Sequence, residues 1–140
     1  MRAILILLSI LLLLAPAAPA DAINARQRAK LDQAQNAWSS ALRWSDYDAA
    51  WQLVEPAERA ARPLSDLELE RYRQLQVTSY REGGSGELKD GSVVRDVEVG
   101  AINRHTQAER VIRFQERWRW DPAGKRWWHA GRLPDFWSGE

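Results

Sequence analysis

The hydrophobic pattern of the chain changes character three times. Ala3 to Leu14 is an almost unbroken apolar run behind Met1-Arg2, and Ala18-Pro19-Ala20 follows as a small-x-small exit. This predicts a secretory signal peptide over 1–20, cut between Ala20 and Asp21. As a helix the run would rise only about 18 Å, short of a bilayer core of roughly 30 Å, and no Lys or Arg cluster follows it. The expectation is therefore a periplasmic protein with no stable membrane insertion after cleavage. From Ile23 to Trp44 there is no Gly or Pro, and Leu31, Ala34, Trp38, Ala41 and Leu42 recur at three- and four-residue steps. That spacing predicts a long amphipathic helix. Ser45 with Asp48 resembles a capping box and opens a second helix, with Tyr47, Ala50, Trp51 and Val54 on its buried face. Glu55-Pro56 resets it, Arg62-Pro63 is a boundary, and Ser65 with Glu68 caps one more turn.

Beyond this point the period becomes two. Tyr72 to Arg81 alternates, with Leu75 and Val77 on one side. Gly83-Gly84-Ser85-Gly86 reads as a flexible break and Lys89-Asp90-Gly91 as a turn. Val93, Val97, Val99 and Ala101 line one face of a second strand, and Ile112, Phe114, Trp118 and Trp120 line a third. Asp121 to Lys125 is a hairpin loop, and Arg126 to Leu133 is the last strand, stopped by Pro134. Helices followed by antiparallel strands predict a single α+β domain over 21–140, with N-terminal helices packed on one face of a curved antiparallel sheet of about four strands.

Composition narrows the chemistry. The 140 residues include no Cys, which excludes a disulfide scaffold, a thiolate metal site and a Cys nucleophile. There are 20 basic and 19 acidic side chains, and removal of Arg2 with the leader balances them. A neutral mature chain is a poor general nucleic-acid binder. Two His at separate places give no metal-ligand spacing, and no Gly-rich phosphate loop exists, so neither a metal nor a cofactor is predicted.

Ser45-Asp46-Tyr47-Asp48-Ala49-Ala50-Trp51, followed by Glu55-Pro56-Ala57-Glu58-Arg59, resembles the small-helix segment of nuclear transport factor 2-like (SnoaL-like) domains. The closing Glu116-Arg117-Trp118-Arg119-Trp120-Asp121 with Lys125-Arg126-Trp127-Trp128 and Leu133-Pro134 is similar to the terminal hairpin of many secreted members. The likeness lies in order and composition. Many such families have six strands where about four are placed here, which leaves a cystatin-like sheet or a shortened cone open. The superfamily hosts isomerases, dehydratases and partner-binding modules, so the resemblance implies a fold more than an activity.

Register isolates one carboxylate. Setting Val99 opposite Ile112 and Val97 opposite Phe114 pairs Val93 with Trp118 and puts Arg95 opposite Glu116, both in otherwise apolar rows. A core-facing acid is costly unless paired. Glu116 is therefore either half of a cross-strand ion pair or a pocket group. In the second case Glu116 serves as acid/base, with Arg95, Tyr47 and Trp118 as lining. The final hairpin has two registers. One sets Trp118 against Trp128 and turns His129 away; the other sets Trp120 against Trp127 and brings His129 to the Glu116 face as a candidate catalytic partner. Asp96 and Glu98 alternate on the opposite face of the second strand. Eight Trp stand out, and an outward Trp127 with Arg113, Arg117 and Arg119 would suit a partner surface, for a homodimer or a periplasmic protein. The two functional expectations are a non-catalytic binding module using that surface, and a small-molecule enzyme using Glu116.

Overall fold

A computed structural model describes residues 22–138 of the chain; the expected leader and its cleavage site lie outside them. Four helices, α1 (Ala25–Arg43), α2 (Tyr47–Trp51), α3 (Pro56–Ala61) and α4 (Asp66–Arg73), precede four strands, β1 (Leu75–Glu87), β2 (Val93–Asn103), β3 (Glu109–Asp121) and β4 (Arg126–His129). The strands form one antiparallel sheet in the order β1-β2-β3-β4, so the α+β architecture is as expected. Among the described residues no helix is long and apolar enough to cross a membrane.

Local chemistry explains the helix boundaries. Asn24 caps α1 in a full capping box: its side chain accepts from Gln27 N–H at 2.8 Å while Gln27 accepts from Asn24 N–H at 3.1 Å. The helix buries Leu31, Gln35, Trp38, Ser39, Ala41 and Leu42 on one stripe. The cap of α2 is Asp46, which accepts from Ala49 N–H at 3.0 Å, and not the expected Ser45. Ser45 instead takes a left-handed φ of 57° and its hydroxyl accepts from Val77 N–H at 2.9 Å, tying the α1–α2 corner to β1. Ser65 and Glu68 make the expected reciprocal cap, but α4 runs two turns and carries Tyr72 with it. Tyr72 therefore ends a helix and does not begin a strand. Its hydroxyl reaches the Pro134 carbonyl at 2.9 Å, pinning the C-terminal segment over the core.

The sheet departs from simple alternation where it matters most. Val77 pairs with Ala101 and Ser79 with Gly100, so Thr78 is an extra residue in β1. The bulge turns the strand by one position and sends Tyr80 inward beside Val77. A Cβ on Gly100 would lie 2.6 Å from Ser79 Oγ and 3.0 Å from Thr78 Oγ1, so a glycine opposite the bulge leaves room for both hydroxyls. The Gly83–Gly86 stretch, expected to break the strand, continues it: Ser85, Gly86 and Glu87 pair with Arg95, Val94 and Val93 across a second irregularity after Glu82. Glycine weakens a strand but keeps its ladder groups, and β2 supplies the partner edge.

The β2–β3 register agrees residue by residue with the hydrophobic alignment, including Val93 with Trp118 and Arg95 with Glu116. The last hairpin adopts the second of its two registers, Trp120 with Trp127 and Trp118 with His129. β4 stops at His129, short of the expected Leu133. Ala130 N–H still donates to Arg117 O at 2.7 Å, and on its other edge β4 meets residues 53–55: His129 N–H donates to Leu53 O at 2.9 Å and Glu55 N–H to His129 O at 3.0 Å. One core results, with α1 and α2 against the inner face formed by Val93, Val97, Val99, Ala101 and Trp118, closed below by Leu133 and Phe136.

Candidate functional site

Glu116 lies in the middle of β3 with its side chain on the inner face and no solvent exposure at all. Five donors converge on its carboxylate. Oε1 accepts from Trp38 Nε1 at 2.8 Å and from the Tyr80 hydroxyl. Oε2 accepts from Arg95 Nη2 at 2.8 Å, Arg95 Nε at 3.1 Å and Trp118 Nε1 at 3.2 Å. A carboxylate offers about four lone-pair directions, so this one is saturated by the chain itself. Arg95 Nη2 also donates to the Tyr80 oxygen at 2.8 Å, closing a ring of arginine, tyrosine and glutamate. The far side of the guanidinium faces Glu82 at 3.5 Å, half-way to the surface.

The electrostatics are consistent with this reading. Burial opposes the charge on Arg95, but Glu116 and Tyr80 outweigh it and hold the guanidinium above its ordinary value. Burial, and then the Glu116 carboxylate, push the Tyr80 phenol upward, so it serves as a donor to the acid. The paired alternative for Glu116 is the one present, and the arrangement exceeds a simple pair because two indoles and a phenol share it.

His129 is brought to the same face, stacked on Trp38 with centroids 3.9 Å apart and planes 10° apart, and edge-on to Trp118. It does not bond Glu116. Its Nδ1 lies 3.0 Å from the Gly131 carbonyl, which assigns the ring proton to Nδ1 and leaves Nε2 a buried lone pair with no partner among the described residues. Burial lowers the imidazole below its ordinary value against smaller opposing effects of Gly131 and Glu116, so the ring is neutral near pH 7. Glu116 and His129 are thus neighbours through Trp38 and form no proton-transfer dyad.

Tyr47, expected beside Glu116, is elsewhere. The α1–α2 corner carries it toward the start of β1, where its hydroxyl donates to Leu75 O at 2.9 Å and its ring packs on Tyr72; burial raises its phenol to about 12. Trp127, expected on the surface, is 2% exposed. The adopted hairpin register puts it on the inner face, and its indole donates to the Gln27 carbonyl at 2.8 Å. Trp128, the next residue, is half-buried, with the Arg126 guanidinium 3.6 Å above its ring, and the tryptophan that stands fully in solvent is Trp44 at the end of α1.

Arg113, Arg117 and Arg119 do share the outer face of β3, as expected from their alternation. Each meets an acid: Arg113 with Glu98 at 2.7 Å, Arg119 with Glu55 at 2.7 Å, and Arg117 with Asp90, supported by Ser92 Oγ at 3.2 Å. The hydroxyl and backbone N–H of Ser92 hold the Asp90 carboxyl down to about 2, with Arg117 adding to the effect. On the same face Arg81, Gly83, Asp96, Glu98 and Arg113 border an open groove of about 600 Å³. Among the described residues no three His, Asp or Glu converge as metal ligands would.

Two members of the buried cluster were not legible as such. Trp38 reads as packing on a helical stripe, and only its meeting with β3 reveals the indole as a donor. Tyr80 falls on the wrong side under strict alternation; Gly100 in a valine-rich strand is the signal that a bulge opposes it. Comparison with known families, with curated proteins and with solved structures returned no match to this chain.

Proposed function

We propose that this protein is a non-catalytic binding module of the exported compartment, that it is a shortened cystatin-like relative of the nuclear transport factor 2-like fold, and that it associates with a second copy of itself through the outer face of the sheet. The observation that carries the reading is the saturation of Glu116. An acid whose two oxygens already accept from Trp38, Tyr80, Arg95 and Trp118 has no lone pair to offer a substrate proton. The helices-then-meander order of the elements supports the fold relationship.

The outer face supports the interaction reading. Acids on β2 (Asp96, Glu98) run beside bases on β3 (Arg113, Arg117, Arg119), and a two-fold axis across this face would set each row against the opposite row of the copy. The ion pairs made within one chain are exposed and weak, so their exchange between chains costs little. Sedimentation equilibrium of the mature chain tests this. The expected result is a dimer in the micromolar range, weakened at least about tenfold in the Arg113→Ala/Arg117→Ala/Arg119→Ala variant with its circular dichroism retained. A chain that stays monomeric up to about 100 μM, or a variant that dimerises as well as the parent, overturns the proposal.

A further inference from the structure

One stretch of sheet edge is bare among the described residues. β4 lies beside β3 only from Trp118 to Asp121, and one further bond runs from Ala130 N–H to Arg117 O at 2.7 Å. The chain then turns off: the Gly131 carbonyl meets His129 Nδ1, and the Pro134 carbonyl accepts from the Tyr72 hydroxyl at the end of α4. The Arg117 bond fixes which groups face the open side. In an antiparallel ladder, neighbouring residues point their N–H and C=O to opposite edges, and β2–β3 pairs without a shift from Glu109 to Trp118. Val111, Arg113 and Gln115 therefore aim both backbone groups away from β2, and none of these groups has a partner among the described residues.

The other edges are guarded. Along β1, Leu75 O accepts from the Tyr47 hydroxyl at 2.9 Å, Val77 N–H donates to Ser45 Oγ at 2.9 Å, and Tyr80 O accepts from Arg43 Nη2 at 3.3 Å. Beyond Glu82 that strand is irregular and rich in glycine, a poor template for pairing. β4 is met at His129 by residues 53–55. Residues 109–115 carry no bulge, glycine, proline or lysine, the features that usually blunt an edge. Val111 is 57% exposed on the outer side of this edge, and Ile112 and Phe114 are half-buried on the inner side. On β3 itself Arg110, Arg113 and Arg117 flank the stretch, against Glu109 as the exposed acid.

We infer that the edge at residues 111–115 receives an extended acidic–apolar segment of a partner protein as a fifth strand, antiparallel to β3 and in line with β4. Main-chain hydrogen bonds to Val111, Arg113 and Gln115 hold the segment, and its alternate side chains select it. Apolar ones lie opposite Phe114 and Ile112, and a carboxylate lies opposite Arg113. The Arg113 side chain is 83% exposed and meets Glu98 through Nε, so its remaining N–H groups are available to a second carboxylate.

Fluorescence anisotropy with a labelled peptide, Thr-Val-Glu-Val-Thr-Glu, tests the site. The expected result is saturable binding with a Kd of about 100 μM or tighter. N-methylation of the first Glu and the second Thr removes N–H groups that face β3 and should abolish binding. N-methylation of the two Val, whose N–H groups face solvent, should leave the affinity within about threefold. Val111→Pro removes an outward N–H and spares the β2 ladder. It should weaken binding at least about tenfold with circular dichroism retained. If that variant misfolds, the two methylated peptides still decide the matter on the parent protein, whether or not its outer faces associate. No saturation up to about 1 mM, no difference between the two methylation patterns, or unchanged affinity in folded Val111→Pro overturns the inference. Loss of self-association in Val111→Pro with no peptide bound to the parent overturns it too, in favour of a second copy on this edge.

Discussion

At the scale of single residues, Glu116 is held by what surrounds it. A buried ion costs several kcal/mol to desolvate, and the cost is offset only when geometry and additional hydrogen bonds are good. Here Arg95 supplies the opposite charge, and Tyr80, Trp38 and Trp118 supply neutral donors. Glu116→Gln would keep the shape but take from the Arg95 guanidinium its buried counter-ion, leaving only Glu82 at 3.5 Å, with an expected loss of about 3 kcal/mol in urea unfolding. Tyr80→Phe removes one hydroxyl from the ring and strands one donor and one acceptor, with an expected loss of about 1–3 kcal/mol. If Glu116→Gln proved as stable as the parent, the carboxylate would not be the anchor described above.

At the scale of elements, the sheet owes its inner face to one inserted residue. Without Thr78 in excess, the alternation that buries Val77 would send Tyr80 to solvent and Ser79 toward the core. Gly100→Ala pushes a methyl into Ser79 Oγ and Thr78 Oγ1. Serine turns away easily, but threonine is stiff about χ1, so the expected cost is about 1 kcal/mol. Adding Ser79→Ala should recover part of it in the same unfolding assay, and no recovery would mean that the strain lies elsewhere. The same elements explain what a reader of the sequence sees and misses. Rows of Val, Ile, Phe and Trp fixed the β2–β3 register because a one-residue slip would expose a whole face, and Arg95 opposite Glu116 followed directly. Tyr80 escaped because a bulge breaks the two-residue period. Trp127 escaped because two hairpin registers fit the same loop, and Asp46 because two adjacent polar residues compete for one cap.

At the scale of the whole molecule, acid should act in two stages. His129 is buried neutral and its folded value lies below the ordinary 6.5. The unfolded chain therefore binds the proton first, so stability is full above about pH 6.5 and falls as pH drops from there toward the lower folded value. The carboxyls of Asp90, Asp121 and Glu68 are held down in the fold by their hydrogen bonds. Their contributions persist above the ordinary carboxylate range and are lost at lower pH, for Asp90 down to about 2. Thermal unfolding followed from pH 7 to 5 should show a declining midpoint, and His129→Gln should flatten that slope while lowering stability throughout. An unchanged slope in the variant would remove His129 from the account.

The saturated carboxylate also shapes which changes the sequence tolerates over time. Trp38, Tyr80, Arg95 and Trp118 are all bound to one acceptor, Glu116, so altering the acceptor strands several donors at once. An apolar core of equal volume would be no less stable, yet single steps toward it pass through a partly satisfied cluster that is worse than either end. The five positions should therefore drift as a block: lineages descended from such a chain keep the whole set or replace Arg95 and Glu116 together.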